Sequence, residues 1–390
     1  MRLPTRLDRY PAKMVSKLAD RLVERYALDA DRILDPFCGS GAVLVAARRR
    51  GIPVTGLDIN PIAALFSHVK INGFDSTKAE RLTHQWIRNA RNRKSTLPVI
   101  WDAKHYWFTQ TVLEKFERLR AAAQVFNLPA SDEGTAVLLS YFLAIRLCSR
   151  ADQRSPKPFI SKQAIVDRRG RHFDPYSTII ELLGELSALY GEQSQHDSSR
   201  FVLANVTSPV TTASFGKHTH VITSPPYINA QDYFRNFKLE LHLLEGILPF
   251  RVDELRDRFI GTERGDLLAS IPQDVINANC GIVTVLEQLG SNEPRLAAVV
   301  HRYLYDMGCA FETIKACLKP LGCLVLVCGD NLVGGHRIRT WHVLEQLLKQ
   351  RGFHLFDRFS DPIGARLLAP KRSGHKGLIK EEVVSAYRLS

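Results

Sequence analysis

A glycine-rich turn between two short apolar runs constrains the fold of this chain more than any other feature. Residues 33–41 read Ile-Leu-Asp-Pro-Phe-Cys-Gly-Ser-Gly, an Ala/Val/Leu-rich run continues to Arg50, and a second apolar run ends in Asp58. A strand, a glycine turn, a helix and a second strand ending in an acid form a βαβ half-unit. Such units bind nucleotides, so we expect an open α/β sheet with a ligand at this turn.

The residues of the turn indicate what the ligand is. Gly39 and Gly41 adopt backbone angles closed to other residues and carry no Cβ, so a ligand can lie against the main chain. The helix that follows points its free N–H groups at the same place. Asp58 is positioned to accept hydrogen bonds from the two hydroxyls of a ribose, as an acid does in dinucleotide folds. The pattern predicts an adenosine-type ligand.

A nicotinamide dinucleotide fits this turn poorly. The full Gly-x-Gly-x-x-Gly fingerprint requires a small residue at position 44, where this chain has Leu44. The carboxylate of Asp35 before the turn would also repel an anionic pyrophosphate, whereas it would attract a cationic ligand.

The word Asp-Pro-Phe-Cys-Gly-Ser-Gly at 35–41, followed by Asp-Ile-Asn-Pro at 58–61, resembles the S-adenosylmethionine loop of the amino-methylating DNA methyltransferases. The resemblance implies a doubly wound, seven-stranded class I (Rossmann-like) methyltransferase sheet, here with large helical insertions, and S-adenosyl-L-methionine as cofactor. It further implies that the acid before the turn and the Tyr-Pro-Ala-Lys segment at 10–13 lie at the methionine end of the cofactor. The expected cofactor-binding residues are Tyr10, Pro11, Lys13, Asp35, Phe37, Gly39, Gly41, Asp58, Ile59 and Asn205.

Asn205 is a departure from the family pattern. After the strand at 201–204 the family usually has an acid that binds the adenine amino group of the cofactor, and asparagine can still accept a hydrogen bond through its side-chain oxygen. The departure concerns cofactor affinity rather than the type of reaction.

A second motif follows the apolar run that ends at Thr223. It reads Ser-Pro-Pro-Tyr, and its two successive prolines fix the backbone and remove two N–H donors, leaving carbonyls that accept. Similar Asp-, Asn- and Ser-Pro-Pro-Tyr words occur in this superfamily, and the serine form is typical of enzymes that methylate cytosine N4, although some serine forms methylate adenine. In the implied fold, the strands before Asp35 and before Ser224 are neighbours. The expected catalytic residues are Ser224, Pro225, Pro226 and Tyr227.

The chemistry expected of this motif follows from the acceptor nitrogen. The lone pair of an exocyclic amino group is delocalised into the base, so two acceptors aimed at its N–H groups favour attack on a methyl group. We expect Ser224 Oγ and the Pro225 carbonyl to be those acceptors, with Tyr227 stacking on the base. Because the amino group is inaccessible inside a duplex, the base must be flipped out.

The charge of the chain favours a polyanionic partner. Lys and Arg outnumber Asp and Glu by 53 to 40, and the pI is about 9.5. Residues 146–171 contain eight Lys or Arg and two acids, so the loop at 149–172 is either a solvated loop or a grip on nucleic-acid phosphates. The aromatic residues at 233 and 234 either line the base pocket or pack within a helix. The expected nucleic-acid-binding residues are Arg150, Gln153, Arg154, Lys157, Lys162, Tyr233, Lys371 and Lys376.

The sequence pattern divides the chain into a core and two insertions. Strand and helix alternate at both ends, whereas the stretches between are mainly helical, including an almost wholly apolar run at 136–147. We expect a methyltransferase core at 1–74, 196–235 and 318–390, a helical insertion at 75–195 that is a possible DNA-recognition region, and a second helical insertion at 236–317.

The remaining composition indicates a reduced, globular, cytoplasmic protein. The seven cysteines form no CxxC pair and lie mostly in apolar context, and no apolar run reaches the length of a membrane span. No clustered Cys/His pattern predicts a metal site. We therefore expect no membrane and no metal, and DNA is the partner that the resemblance implies.

Four functions remain open. The favoured one is a DNA methyltransferase at cytosine N4, in a restriction–modification or solitary modification system with a possible endonuclease partner. The alternatives are an adenine-N6 DNA methyltransferase, an RNA amino-methyltransferase acting on guanine N2, and a nucleic-acid-binding protein that has lost catalysis.

Overall fold

The chain divides into two compact units in the computed structural model. It describes residues 7, 10, 14–155, 157–167, 173–191, 199–208, 215–228, 233–262, 266–278, 281–362 and 381–390. The helical unit comprises Met1–Pro11, Pro61–Asp197 and Tyr233–Leu255. The sheet unit comprises Ala12–Asn60, Ser198–Asp232 and Arg256–Ser390. The longest segment of the helical unit starts at 61 and its last segment ends at 255, whereas the sequence-based insertions are 75–195 and 236–317. The domain assignment and the role of the insertions stay predictions.

A seven-stranded sheet forms the centre of the sheet unit. The strands are β1 (Ile33–Asp35), β2 (Val54–Asp58), β3 (Arg200–Leu203), β4 (His218–Thr223), β5 (Leu318–Gly329), β6 (Asn331–Val333), β7 (His336–Ile338), β8 (Phe353–Pro362) and β9 (Glu381–Leu389). The sheet has the order β3-β2-β1-β4-β5-β9-β8, and β6 pairs with β7 in a separate hairpin. All pairings in the sheet are parallel except those of β9, which runs antiparallel between β5 and β8. The predicted seven-stranded class I methyltransferase sheet is confirmed.

The helices surround this sheet or form the helical unit. They are α1 (Ser16–Tyr26), α2 (Ala42–Arg48), α3 (Pro61–Asn72), α4 (Ser76–Asn92), α5 (Lys104–Trp107), α6 (Gln110–Phe126), α7 (Asp132–Cys148), α8 (Lys162–Asp167), α9 (Pro175–Tyr190), α10 (Tyr233–Leu244), α11 (Val252–Arg256), α12 (Gln273–Asn277), α13 (Ile282–Asn292), α14 (Pro294–Cys317) and α15 (Thr340–Gln350).

The strand order reverses at one point in the sheet. From β1 the sheet continues to β2 and β3 on one side and to β4 and β5 on the other, so the order reverses between β1 and β4. In open parallel sheets, ligands bind outside the carboxyl ends of the strands at this reversal. Leu34 of β1 pairs with Val221 of β4, so the two sequence motifs that follow these strands lie side by side, as expected.

A buried helix organises the helical unit. Residues 134–146 of α7 are all buried, and the neighbouring α3, α4, α9 and α10 pack around it. Its Arg146 is buried too, and its Nε lies 2.9 Å from Oε1 of Glu240 in α10. The predicted buried helix at 136–147 is therefore confirmed.

Candidate active site

The glycine turn leaves β1 through a buried carboxylate. Asp35 is 3% exposed, and its Oδ1 accepts hydrogen bonds from the Thr223 hydroxyl at 2.6 Å and from the Phe37 N–H at 3.2 Å. The other oxygen, Oδ2, accepts none from the described residues. Burial raises the pKa of Asp35 to about 7, against the opposing effect of these two hydrogen bonds.

Asp58 ties the end of β2 to the same turn. Its Oδ2 accepts the Gly39 N–H and its Oδ1 accepts the Asn60 N–H, each at 2.9 Å. Burial raises its pKa to about 6. Because each carboxylate oxygen has two lone pairs, these bonds leave acceptor sites for ribose hydroxyls.

The glycines of the turn are used as the sequence predicted. Gly39 has a φ of 49° and Gly41 a φ of 80°, both in the left-handed region that favours glycine. Gly41 is also the N-cap residue directly before α2, so the free N–H groups of that helix start at the turn. Phe37 and Ile59 are half-buried on either side of these glycines in the sequence.

The Ser-Pro-Pro-Tyr motif begins directly after β4 and next to this turn. Ser224 is half-buried, and neither its hydroxyl nor the carbonyl of Pro225 is hydrogen-bonded to any described residue. Pro225 is buried and Pro226 half-buried. Two uncommitted acceptors therefore stand one and two residues after the threonine that bonds to Asp35.

The ring of Tyr227 is more buried than we expect for a side chain that stacks on a base. It is 8% exposed, belongs to the main apolar cluster of the sheet unit, and donates its hydroxyl hydrogen to Oε1 of Glu382 at 2.5 Å. Glu382 lies on β9, where it is paired with Gly329 of β5. Stacking of Tyr227 on a base stays a prediction, and this burial shows that most of the ring is already packed by the protein.

A buried asparagine holds the backbone just beyond the motif. Asn331, 4% exposed, donates from Nδ2 to the Ile228 carbonyl at 3.0 Å and accepts from the Thr340 hydroxyl at 2.8 Å. Sequence reasoning missed both Asn331 and Glu382. Asn331 could have been recognised because it is a polar residue just after the carboxyl end of the core strand β5. No feature of the local sequence distinguishes Glu382.

The residues around the turn fit S-adenosylmethionine. Asp35 is a buried carboxylate whose Oδ2 accepts no hydrogen bond from the described residues and whose pKa is raised by burial. A cationic ligand next to it would stabilise its charged form. Asn205 after β3 fits less directly, since its Oδ1 already accepts the N–H and the hydroxyl of Thr207, at 3.0 and 2.9 Å. The Nδ2 group of Asn205 is the part of its side chain left for a ligand.

The N-terminal residues predicted to bind the cofactor are only partly described. Tyr10 is buried in the helical unit, where its ring lies 6.0 Å from that of Phe66 and 5.4 Å from that of Phe237 between centroids. Pro11 and Lys13 lie outside the described residues. The role of the 10–13 segment at the cofactor stays a prediction.

The loop predicted to grip nucleic acid is partly engaged in its own contacts. Arg154 pairs with the buried Asp152, with Nη2 and Oδ2 2.5 Å apart, and this guanidinium holds the pKa of Asp152 well below its usual range. Arg150 donates to the carbonyls of His105 and Tyr106 at 3.0 and 3.3 Å. Both side chains have a structural role within the helical unit.

The other residues predicted to bind nucleic acid are more exposed or not described. Gln153, Lys157 and Lys162 are exposed, although Gln153 donates to two backbone carbonyls. Tyr233 begins α10, but its side chain is not described, and Lys371 and Lys376 lie outside the described residues.

Metal ligands and membrane spans are both absent from the described residues. No group of three or more His, Cys, Asp or Glu residues suited to a metal ion occurs within the part of the chain that the structure describes. None of the described helices combines the length and apolarity required to cross a bilayer.

Comparisons with known proteins find similarity to methyltransferases. A family model described as DNA methylase, for N6 and N4 methyltransferases, matches residues 3–65. The Type II methyltransferase M.MjaII of Methanocaldococcus jannaschii is 34% identical over 88 residues, 23% of this chain and 17% of that protein. The Type II methyltransferase M.AvaI of Anabaena variabilis is 23% identical over 373 residues, 87% of this chain and 76% of that protein.

One relative modifies RNA according to its name. The tRNA (guanine(10)-N2)-dimethyltransferase of Methanothermobacter thermautotrophicus is 48% identical over 52 residues, 13% of this chain and 16% of that protein.

The fold, the family match and the Type II methyltransferase relatives support an amino-methyltransferase family for this chain. Methyltransferases of this family and fold depend on S-adenosylmethionine.

Proposed function

We propose that this chain transfers a methyl group from S-adenosylmethionine to the exocyclic amino group of a base in DNA, with cytosine N4 as the favoured position. The observation that carries the proposal is the hydrogen bond between Thr223 and Asp35, because it joins the cofactor turn to the segment that bears the acceptors. The match of residues 3–65 to the DNA methylase family supports DNA as substrate. A restriction endonuclease partner remains part of the proposal.

The residues of this chain act by positioning rather than by strong acid or base chemistry. When bound, S-adenosylmethionine supplies an electrophilic methyl group. Ser224 Oγ and the Pro225 carbonyl accept hydrogen bonds from the two N–H groups of the target amine and so hold its nitrogen lone pair in the direction of attack. The transfer leaves the target nitrogen with a positive charge, and the nitrogen then loses one proton to water, so no strong base of this chain is required. Asp35 and Asp58 hold the cofactor's methionine and ribose parts.

A duplex substrate requires that the target base leave the helix. Ser224 follows directly after the end of β4. An amino group stacked inside a duplex is inaccessible to such a residue, so we propose that the base is flipped out. The serine at position 224 favours cytosine N4 by the family resemblance, and adenine N6 is the alternative with the same mechanism. The short match to a tRNA guanine-N2 enzyme is the observation that favours an RNA substrate as second candidate.

Nucleoside mass spectrometry tests the proposal. Purified protein and isotopically labelled S-adenosylmethionine are incubated separately with duplex DNA, single-stranded DNA and total RNA. We expect labelled N4-methylcytosine in duplex DNA; N6-methyladenine there would change only the base, and labelled RNA alone would overturn the proposal in favour of the second candidate.

Two variants test the assigned roles. Ser224→Ala and Tyr227→Ala should each lower methyl transfer about a hundredfold or more, since loss of one positioned group at a reaction site costs that much. Calorimetric binding of S-adenosylmethionine should persist. Ser291→Ala, at an exposed residue of α13, is the matched control and should retain full activity. Unchanged transfer by Ser224→Ala would refute the assigned chemistry.

A further inference from the structure

A small pocket in the helical unit gathers three cationic side chains. Arg91 of α4 and Lys115 and Arg118 of α6 line it together with Tyr176 of α9, and its volume is about 160 Å³. Pockets for whole small molecules usually measure roughly 300–1,000 Å³. The space therefore suits a single charged group rather than a complete nucleotide.

The charges of this pocket are only partly neutralised. Lys115 Nζ lies 2.8 Å from Asp174 Oδ1, and Glu114 is the single carboxylate among the lining residues. Arg91 lies over the ring of Tyr176, with its guanidinium carbon 5.0 Å from the centroid. Arg118 Nε is buried and has no hydrogen-bond partner among the described residues. The whole Arg118 guanidinium forms no hydrogen bond with any described residue, and an oxyanion in the pocket would supply an acceptor for its accessible N–H groups.

The exposed face of α4 extends the positive charge beyond the pocket. Arg81, Arg88 and Arg91 are exposed and spaced by seven and three residues, so they lie along one face of the helix, opposite a buried face that includes Trp86. At 1.5 Å per residue they span about 15 Å. Within the described chain, Arg81 and Arg88 form no ion pair.

We propose that this pocket binds a backbone phosphate of duplex DNA and that Arg81 and Arg88 contact neighbouring phosphates of the same strand. Arg118 and Arg91 would donate to phosphate oxygens in the pocket, since guanidinium groups match that geometry. The inference rests on the proposed function and adds the surface that holds the substrate. It assigns backbone contact to α4 and α6, whereas Arg154 of the 149–172 loop is already paired with Asp152.

Salt-dependent DNA binding tests the proposal. Fluorescence anisotropy with labelled duplex DNA is measured for the full chain at salt concentrations from about 50 to 200 mM. Arg91→Gln combined with Arg118→Gln should weaken binding at least tenfold at low salt. The slope of log affinity against log salt should flatten by about 0.9, because the pocket neutralises one phosphate and each lost phosphate contact reduces the slope by about that amount.

A second variant and a charge-matched control make the result decisive. Arg81→Gln combined with Arg88→Gln changes only exposed side chains, so it keeps the test valid should the pocket variant misfold. It should flatten the slope by about 1.8, because two phosphate contacts are lost. The control, Arg251→Gln combined with Arg258→Gln, removes two exposed charges elsewhere and should leave the slope unchanged. Equal losses in the control, or wild-type slopes in both test variants, would overturn the proposal.

The test separates this inference from the proposed function. Methyl transfer to DNA by the wild type, with normal salt slopes in both test variants, would refute only the phosphate site. Selective weakening of DNA binding in a protein that transfers no methyl group would refute only the proposed reaction. Stronger binding to single-stranded DNA or RNA probes, weakened equally in the variants, would overturn the duplex as the ligand.

Discussion

The hydroxyl of Thr223 donates a 2.6 Å hydrogen bond to Oδ1 of Asp35, across 188 positions of sequence. It joins the carboxyl ends of β1 and β4, the two strands between which the sheet order reverses. The contact therefore fixes the buried carboxylate of Asp35 against the strand that precedes Ser224 and Pro225. It also helps to set the proton affinity of that acid.

The first prediction concerns cofactor affinity and pH. The pKa of Asp35 is raised to about 7, so the carboxylate is mainly protonated at pH 6 and mainly ionised at pH 8. If its charge holds the cationic methionine part, affinity for S-adenosylmethionine should rise about tenfold over that interval. Calorimetry measures the affinity for S-adenosylmethionine of the wild type and of Asp35→Asn at each pH. Protonation of the ligand affects both proteins equally, so it cancels in the ratio of the two affinities.

Thr223→Val is the matched variant for this pH effect. The threonine hydroxyl lowers the pKa of Asp35, so its removal should move the midpoint of the affinity change to higher pH without abolishing it. A ratio that does not vary with pH would show that Asp35 does not contact the cationic group.

The second prediction concerns the stability of the cofactor-free protein. Both Asp35 and Asp58 have folded-state pKa values above the unfolded value of 3.8, at about 7 and about 6. The folded state therefore binds protons more tightly than the unfolded state, and these groups reduce stability as pH rises from about 4 to 7. The loss is at most about 1.4 kcal/mol per pH unit for each group.

Chemical denaturation at a series of pH values measures this loss. Asp35→Asn should show a shallower decline than wild type over the same interval, because its amide does not titrate. Parallel declines for the two proteins would contradict the raised pKa of Asp35.

The third prediction concerns the hydrogen bond between Tyr227 and Glu382. Tyr227→Phe leaves the Glu382 carboxylate without this donor and should cost about 1–3 kcal/mol of stability. Glu382→Gln keeps an acceptor and should cost less. Thermal denaturation of the two single variants and the double variant forms a cycle, and strict additivity would show that the bond contributes nothing.

Variants at Glu382 should show whether this residue positions Tyr227 or binds the DNA substrate. Because Glu382 acts through Tyr227, we expect Glu382→Ala to lower kcat more than it raises KM for DNA. Glu382→Gln should restore most of the activity. An effect confined to KM would assign Glu382 to substrate binding instead.

The fourth prediction concerns the buried ion pair of the helical unit. Arg146 is 4% exposed and Glu240 2% exposed, and Arg146 also donates to the Asn236 carbonyl at 2.5 Å. Arg146→Met leaves the Glu240 carboxylate buried and unpaired, which should cost about 3–5 kcal/mol. The double variant Arg146→Met/Glu240→Leu should recover part of that cost in urea denaturation. Equal losses of stability in the single and double variants would contradict this account.

The local geometry of the two motifs was predictable because each is a short run of sequence whose backbone conformation is set by its own residues. Gly39, Gly41 and Asp58 have the backbone angles and contacts that the turn requires, and the strands before Asp35 and Ser224 are neighbours, as the resemblance implied. The helix at 136–147 was predictable for a different reason, since a helix apolar on nearly all sides must be buried.

The partners of these motifs were not predictable from local sequence. Glu382 reaches Tyr227 only because β9 inserts between β5 and β8, and that strand follows a basic stretch with no strand pattern. Likewise, the cations at 91, 115 and 118 are spread over two helices, so no charge run marks them, whereas the visible run at 146–171 contains an arginine held by Asp152.

The placement of β9 also bears on how this protein is made. β8 precedes β9 in the chain, yet in the sheet it is joined to the rest only through β9. Until β9 is made and paired, β8 has no partner strand and the edge of β5 is open. An open strand edge is a template for aggregation. The growing chain is therefore prone to aggregation until β9 pairs with both β5 and β8 and completes the sheet.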